Sequence, residues 1–352
     1  MHARAERVAL SQFPVTGSRD GSWHWGETLT MPAISSLYEP ISADLAKVCA
    51  VFDDELFSDL PVLNDLCSHI RQYRGKMLRP GLLLLSGRAC GKVTEEHLTL
   101  AAVVELVHMA TLVHDDVLDD ADVRRRCTTV HRSQGNETAV LLGDYLISHA
   151  FHLCSSLDSQ CAARTIGSTT NTICEGEMQQ VHHRANYDLT QEQYLQIISR
   201  KTAALTGACC LLGAHFAGAR DDIVNALEQY GLNAGIAFQI TDDVLDIVGT
   251  EERMGKTLGR DLEKHKVTLP FIHGLGRSDS KANGQLRKLL SGDKPDRAAL
   301  RELLTAAGSI DYALETARHY AQSAIACLKT LPASDARDTL QRIANLIIDR
   351  DQ

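Results

Sequence analysis

Two aspartates four residues apart, Asp115 and Asp119, are the first residues in this chain to suggest chemistry. On a helix that spacing puts both carboxylates on one face. Asp116, Asp120 and Asp122 add further negative charge close by. Like charges this near repel, and at a helix C-terminus they also oppose the helix dipole. A hard divalent cation removes that penalty. Magnesium suits such a place, because it takes one or two carboxylates and keeps its other positions for water and phosphate oxygens. The pattern then recurs. His114-Asp115-Asp116-Val117-Leu118-Asp119 is echoed by Thr241-Asp242-Asp243-Val244-Leu245-Asp246, and each copy ends a long apolar helix. Two acidic clusters alone leave a calcium site or a solvated acidic face open.

Basic residues narrow the choice. Arg124, Arg125 and Arg126 follow the first cluster, and Lys256, Lys264 and Lys266 follow the second. Carboxylates beside cations suit a metal–diphosphate ligand, with the metal taking some oxygens and Arg or Lys the others. No Walker A motif is present, so this is not a P-loop nucleotide site. Upstream, Lys76 and Arg79 could clamp a second anion, although alone they read equally well as a solvated helix end. Lys201-Thr202 places a cation and a hydroxyl in an apolar helix. Gln239 lies one turn before Asp242, and His108 two turns before Asp115. Alone, His108 would read as a core residue; in this company it reads as a ligand contact. No Ser/His/Asp or Cys/His arrangement offers a nucleophile.

The elements that must hold these groups are helical. Apolar residues recur at helical spacing over Asp59–Arg74, Leu98–Asp120, Thr138–Ser156, Thr190–Gly213, Asp222–Gly249, Arg297–Ala307 and Asp311–Lys329. Ile41, Leu45, Val48, Val51 and Phe52 form an earlier stripe. Thr190 and Gln193 make a capping box. Polar loops are expected near Arg184–Leu189 and Gly276–Gly284, and strand signals are missing. Residues 1–30 carry both tryptophans without a sustained period and read as a loosely ordered extension; residues 31–352 read as a single all-α domain. Composition agrees: 352 residues, 44% hydrophobic, 23% charged and net charge −9 fit a soluble globular protein and argue against nucleic acid as a partner. No run reaches the uninterrupted apolar length of a membrane span, since Glu105 and His108 break the best candidate. Ten cysteines without a CxxC pair read as buried free thiols in a reducing cytoplasm.

Taken in order, the motifs resemble the trans (all-E) isoprenyl diphosphate synthases, or polyprenyl synthetases. They are Gly75-Lys76-Met77-Leu78-Arg79-Pro80, the Asp115–Asp119 cluster with Arg124-Arg125, Gly143-Asp144-Tyr145-Leu146, Gly176-Glu177 with Gln180, Lys201-Thr202, Phe238-Gln239-Ile240-Thr241-Asp242-Asp243, and Gly255-Lys256 leading to Lys266. The resemblance implies an isoprenoid-synthase-type helical bundle around a central apolar cavity. It implies that Asp115, Asp119 and Asp242 bind Mg²⁺, with Asp116, Asp243 and Asp246 supporting; three ions per site with substrate bound, replaceable by Mn²⁺, are expected. Arg124, Lys201 and Lys256 would hold an allylic diphosphate, with Lys266 also on the substrate side. Lys76, Arg79, His108 and Arg125 would hold isopentenyl diphosphate. Thr202 and Gln239 would sit beside the reacting carbons. A cytoplasmic homodimer, touching membranes only to release product, is the matching expectation.

Two departures fall on loops near the diphosphates. Arg126-Cys127-Thr128 stands where the family usually has Gly, a polar residue and Pro, and His265 stands where it usually has Gly. Product length should be read on the first metal helix, below Asp115. A bulky aromatic there shortens the product in this family, whereas Ala110 and Thr111 are small and Val107 lies one turn deeper. The cavity is therefore expected to continue past them, as in the long-chain branch. The alternatives are a farnesyl or geranylgeranyl diphosphate synthase, and a non-catalytic partner subunit. The intact aspartate clusters argue against the second.

Overall fold

The computed structural model describes residues 37–249, 258–277, 280–292 and 296–349. Helix follows helix: α1 (Ser42–Glu55), α2 (Pro61–Arg71), α3 (Leu78–Cys90), α4 (Glu95–Leu118), a short α5 (Val130–Gln134), α6 (Asn136–Ser155) and α7 (Gln160–His182). Then come α8 (Gln191–Ile198), a π-helical turn (Ser199–Ala203) and α9 (Ala204–Phe216). The chain continues with α10 (Asp221–Val248), α11 (Arg260–Glu263), α12 (Leu269–Arg277), α13 (Ser280–Leu290), α14 (Arg297–Ala306), α15 (Ser309–Cys327) and α16 (Asp335–Asp349). Among the described residues the only strands are β1 (Val123–Arg124) and β2 (Cys127–Thr128), an antiparallel ribbon that pairs Arg124 with Cys127. The all-α expectation is met apart from this ribbon. Residues 1–30 and Lys256 lie outside the described residues.

Apolar α9 sits at the centre, packed by α3 on one side and α10 on another, while α10 also lies along α15. The first aspartate helix, α4, packs on α6 and α1. It is long and apolar enough to cross a membrane, but most of it is buried inside the bundle. Some helix ends are closed by side chains. Thr190 accepts from the Gln193 backbone N–H at 3.2 Å, and the Gln193 side chain accepts from the Thr190 backbone N–H at 3.0 Å, which is the expected capping box. Arg297 donates to the carbonyls of Asp246 (2.9 Å) and Gly249 (2.6 Å), satisfying the open end of α10 beside its aspartates.

Two expectations need revision. The loop expected over Gly276–Gly284 is largely helical, being divided between the end of α12 and the start of α13. The cysteines are all free, but Cys174 is exposed and only Cys67, Cys154, Cys209 and Cys210 are fully buried.

The two family departures fall on left-handed backbone. Arg125 (φ 49°) and Arg126 (φ 67°) form the two-residue turn of the ribbon, and His265 has φ 52°. Paired positive φ values make a type I′ turn, which favours Asn-Gly or Gly-Gly and strains side-chain-bearing residues. The usual glycines thus have a conformational reason, and this chain bears strain in their place. At His265 a ring N–H donates to the Leu290 carbonyl at 3.2 Å, a partial compensation. Arg126 is exposed and has no such anchor among the described residues. Arg126→Gly should therefore raise unfolding stability by about 0.5–1 kcal/mol, checked by denaturant titration. Unchanged or lower stability would contradict the strained turn.

Candidate active site

Both aspartates of the first pair stand at the C-terminal end of α4, and each meets a partly buried lysine. Lys201 Nζ, carried inward by the π turn, contacts the Glu177 carboxylate and donates to Gln180 Oε1 at 2.7 Å, with Asp115 Oδ2 at 3.7 Å. A π turn adds a residue to the helical ring and rotates side chains off the α register, a distortion common at functional sites. Close approach of α7 makes the contact possible. A Cβ on Gly176 would lie 2.5 Å from the Lys201 backbone nitrogen, so only glycine fits. Asp119 accepts from Lys266 Nζ at 3.0 Å and from Arg184 at 3.4 Å, and Lys266 also meets Asp261 at 3.5 Å.

The electrostatics are those of an unfinished site. Burial, reinforced by Glu177 and Asp119 and opposed by Lys201, pushes the Asp115 carboxyl up to about 6. Lys266 and its neighbours outweigh burial at Asp119 and hold its carboxyl below its usual value. Three aspartates and a glutamate thus share two lysines. Among the described residues no three potential ligands form a closed metal cage.

The second cluster is less open than its sequence suggests. Asp243 is buried and accepts from Tyr194 Oη at 2.6 Å and Gln239 Nε2 at 2.7 Å. Asp246, expected among the metal ligands, is buried and accepts from the backbone N–H groups of Gly259 (3.1 Å) and Asp261 (3.3 Å). It therefore ties the segment bearing Lys266 to α10. Asp116, likewise expected on the metal, is buried and accepts from Arg124, with a nitrogen–oxygen distance of 2.7 Å. These two carboxylates position cations and backbone, whereas Asp115, Asp119 and Asp242 are partly accessible.

A second pocket is cationic. The Arg125 guanidinium donates to the Tyr73 carbonyl and lies against Gly75, where any Cβ would collide with it. Arg79 has a buried Nε without a hydrogen-bond partner. Burial, then the charges of Arg79, Arg125 and Arg124, hold His108 well below its usual value, so it is neutral there. The counter-charge is Glu105, 3% exposed on α4. Clustered guanidiniums beside one buried carboxylate are ready for a polyanion. Lys76 is exposed at the rim.

Beside these pockets Thr202 Oγ1 donates to Gln239 Oε1 at 2.9 Å, so the two residues assigned to the reacting carbons do meet. Thr111 lies on the partly accessible stripe of α4 with His108, Leu112, Asp115 and Asp119, its hydroxyl donating to the His108 carbonyl at 2.7 Å. Ala110 and Val107 are enclosed, 0% and 1% exposed. A ring at Ala110 would therefore press on packed atoms rather than enter open space.

Sequence reasoning assigned no role to Glu105, Glu177, Gln180, Arg184 or Tyr194. Glu177 and Gln180 were visible as motif members. Glu105 carried a signal of its own, a charge inside an apolar helical run.

Comparison with known proteins agrees with this geometry. The polyprenyl synthetase family model matches residues 60–307. Octaprenyl diphosphate synthase of Escherichia coli is 33% identical over 321 residues, covering 91% of this chain and 99% of that protein. Heptaprenyl diphosphate synthase component 2 of Geobacillus stearothermophilus is 36% identical over 323 residues, covering 90% and 99%. The crystal structure of a decaprenyl diphosphate synthase from Rhodobacter capsulatus superposes with a TM-score of 0.86 at 32% identity, covering 91% of this chain and 99% of that one. With its motifs, fold and charged clusters in agreement, the chain belongs to the polyprenyl synthetase family.

Proposed function

We propose that this protein condenses an allylic diphosphate with successive isopentenyl diphosphate units to give a long-chain all-trans polyprenyl diphosphate. The observation that carries the reading is the pair of aspartate-bearing helices ending beside Lys201 and Lys266, with a separate arginine pocket next to them. Similarity to octaprenyl, heptaprenyl and decaprenyl diphosphate synthases supports the long-chain assignment.

In this reading Arg124, Lys201, Lys256 and Lys266 hold the allylic diphosphate. Lys76, Arg79, Arg125 and neutral His108 hold isopentenyl diphosphate. Asp115, Asp119 and Asp242 would hold Mg²⁺, three ions with substrate bound and replaceable by Mn²⁺. When bound, the metal neutralises charge on the diphosphate leaving group. The cationic side chains share that task as the allylic C–O bond breaks. The isopentenyl double bond then attacks the allylic carbon, a C–C bond forms, and a proton leaves to the released diphosphate. Thr202 and Gln239 present oxygen atoms beside the cation. The apolar bundle keeps out water, which would quench it.

The surface supports a homodimer. On α6, Val140, Leu141 and Phe151 are exposed, and on α7 Met178 is 71% exposed with Val181 beside it. Apolar stripes of this kind on neighbouring helices call for a cover, and a second copy provides it. The heptaprenyl component 2 relative makes a distinct partner chain the alternative, which sedimentation of the purified chain alone distinguishes. Ten free thiols support a reducing cytoplasm. Contact with a membrane is confined to product release.

Chelation by EDTA should abolish activity, and Mg²⁺ or Mn²⁺ should restore it. Asp115→Asn should lower turnover about a hundredfold or more, because it removes an anionic metal ligand. The same change should stabilise the metal-free protein. The Asp115 carboxyl titrates higher folded than unfolded, so its ionisation costs stability as pH rises from about 4 to about 6. At pH 7 the neutral amide should gain on the order of 1–3 kcal/mol in thermal unfolding. Full activity in EDTA, or a less stable variant, would contradict the assignment.

Product length is read by incubating the protein with isopentenyl diphosphate, each allylic primer and Mg²⁺. The expected product is longer than geranylgeranyl. Ala110→Phe should shorten it to farnesyl or geranylgeranyl length by pushing its packed neighbours into the path of the growing chain, at a packing cost of about 1–3 kcal/mol. A wild-type product stopping at those lengths would establish the short-chain alternative. An unchanged distribution in the variant would show that the chain does not pass Ala110.

A further inference from the structure

We infer that Tyr194 is a positioning residue for prenyl transfer, fixing through Asp243 and Gln239 the direction in which Thr202 presents its hydroxyl. The inference rests on the reading above that Thr202 and Gln239 stand beside the reacting carbons.

The supporting geometry is an unbroken chain of four side chains. Thr202 Oγ1 donates to Gln239 Oε1 at 2.9 Å. Gln239 Nε2 donates to Asp243 Oδ1 at 2.7 Å. Tyr194 Oη donates to Asp243 Oδ2 at 2.6 Å. Gln239 turns its amide nitrogen to Asp243 and its oxygen to Thr202. The Thr202 proton is then committed to Gln239. Its lone pairs are left for the other side, where electron density is useful to a developing carbocation.

Tyr194 makes this arrangement single-valued. Asp243 is 5% exposed and Tyr194 3% exposed, so water has little access to replace a lost bond. Without the phenol, one carboxylate oxygen would be buried unsatisfied. The carboxylate would then turn to share its remaining donor, and Gln239 would lose its fixed partner. The location is also telling. Tyr194 lies on α8, just before the π turn, whereas Thr202 lies within that turn. Both are tied to α10 at positions one helical turn apart, Asp243 and Gln239. A π turn interrupts the regular helical ladder and is frequent at functional sites. Tyr194 anchors one side of the distortion and Thr202 its centre, on the same face of the same partner helix.

Tyr194→Phe deletes only the hydroxyl. The expected result is a kcat lower by roughly tenfold, with KM for both diphosphates within about twofold of wild type and an unfolding midpoint that stays cooperative. A double-mutant cycle with Thr202→Val gives the decisive comparison. Because the phenol acts through Thr202, Tyr194→Phe should cost little further kcat once the hydroxyl is gone. Wild-type kcat in Tyr194→Phe beside an impaired Thr202→Val would overturn the inference and leave the functional reading standing. Independent, multiplying losses would overturn it too, as would a loss confined to KM. Wild-type kcat in Thr202→Val would overturn the placing of that hydroxyl at the reacting carbons, and the inference with it.

Discussion

Everything in this molecule depends on charge that the protein does not neutralise by itself. Asp115, Asp119 and Glu177 crowd Lys201 and Lys266 at one end of the bundle, and burial, with the neighbouring carboxylates adding to it, raises the Asp115 carboxyl. A few residues away the imbalance has the other sign: Arg79, Arg124 and Arg125 surround a neutral His108, with Asp116 paired to Arg124 and the buried Glu105 set against the other two. Each cluster alone is unfavourable in a half-buried site. Metal cations and a diphosphate together supply what both lack. In the proposed reading the folded chain is therefore complementary to a charged pair of ligands rather than to either one.

The surrounding architecture keeps the clusters from relaxing into each other. Asp116 and Asp246, which by sequence look like ligands, are inward-facing anchors: one fixes Arg124, the other the backbone leading to Lys266. The π turn carries Lys201 and Thr202 inward, and Gly176 lets α7 approach it closely. Arg125, Arg126 and His265 hold left-handed backbone at the edges of the site. Strain of this kind persists only where the rest of the fold over-determines it.

Much of this was legible before the structure. Repetition of the aspartate pattern, with basic residues after each copy, located the site, and helical periodicity placed both clusters at helix ends. What escaped has physical reasons. Helix α3, with Leu82–Leu85 buried in succession, is covered on all sides and shows no apolar stripe. Helix α7 is rich in Ser, Thr and Gly, which obscures its period. Neighbouring aspartates in one motif are chemically identical in sequence; only the fold shows which stay partly accessible and which face an arginine or a backbone amide. The π turn has no residue signature, and Tyr194 draws its importance from a partner on another helix.

The central claim, that this site is completed only by a metal and a diphosphate together, is tested most directly by thermal unfolding with inorganic pyrophosphate and Mg²⁺, added singly and jointly. Binding to the folded state raises its stability by mass action. The account predicts small shifts of the midpoint with either ligand alone and a much larger, more than additive shift with both, lost in Asp115→Asn. A shift from pyrophosphate alone as large as that from the pair would contradict it, since the aspartates would then have no part in holding the ligand.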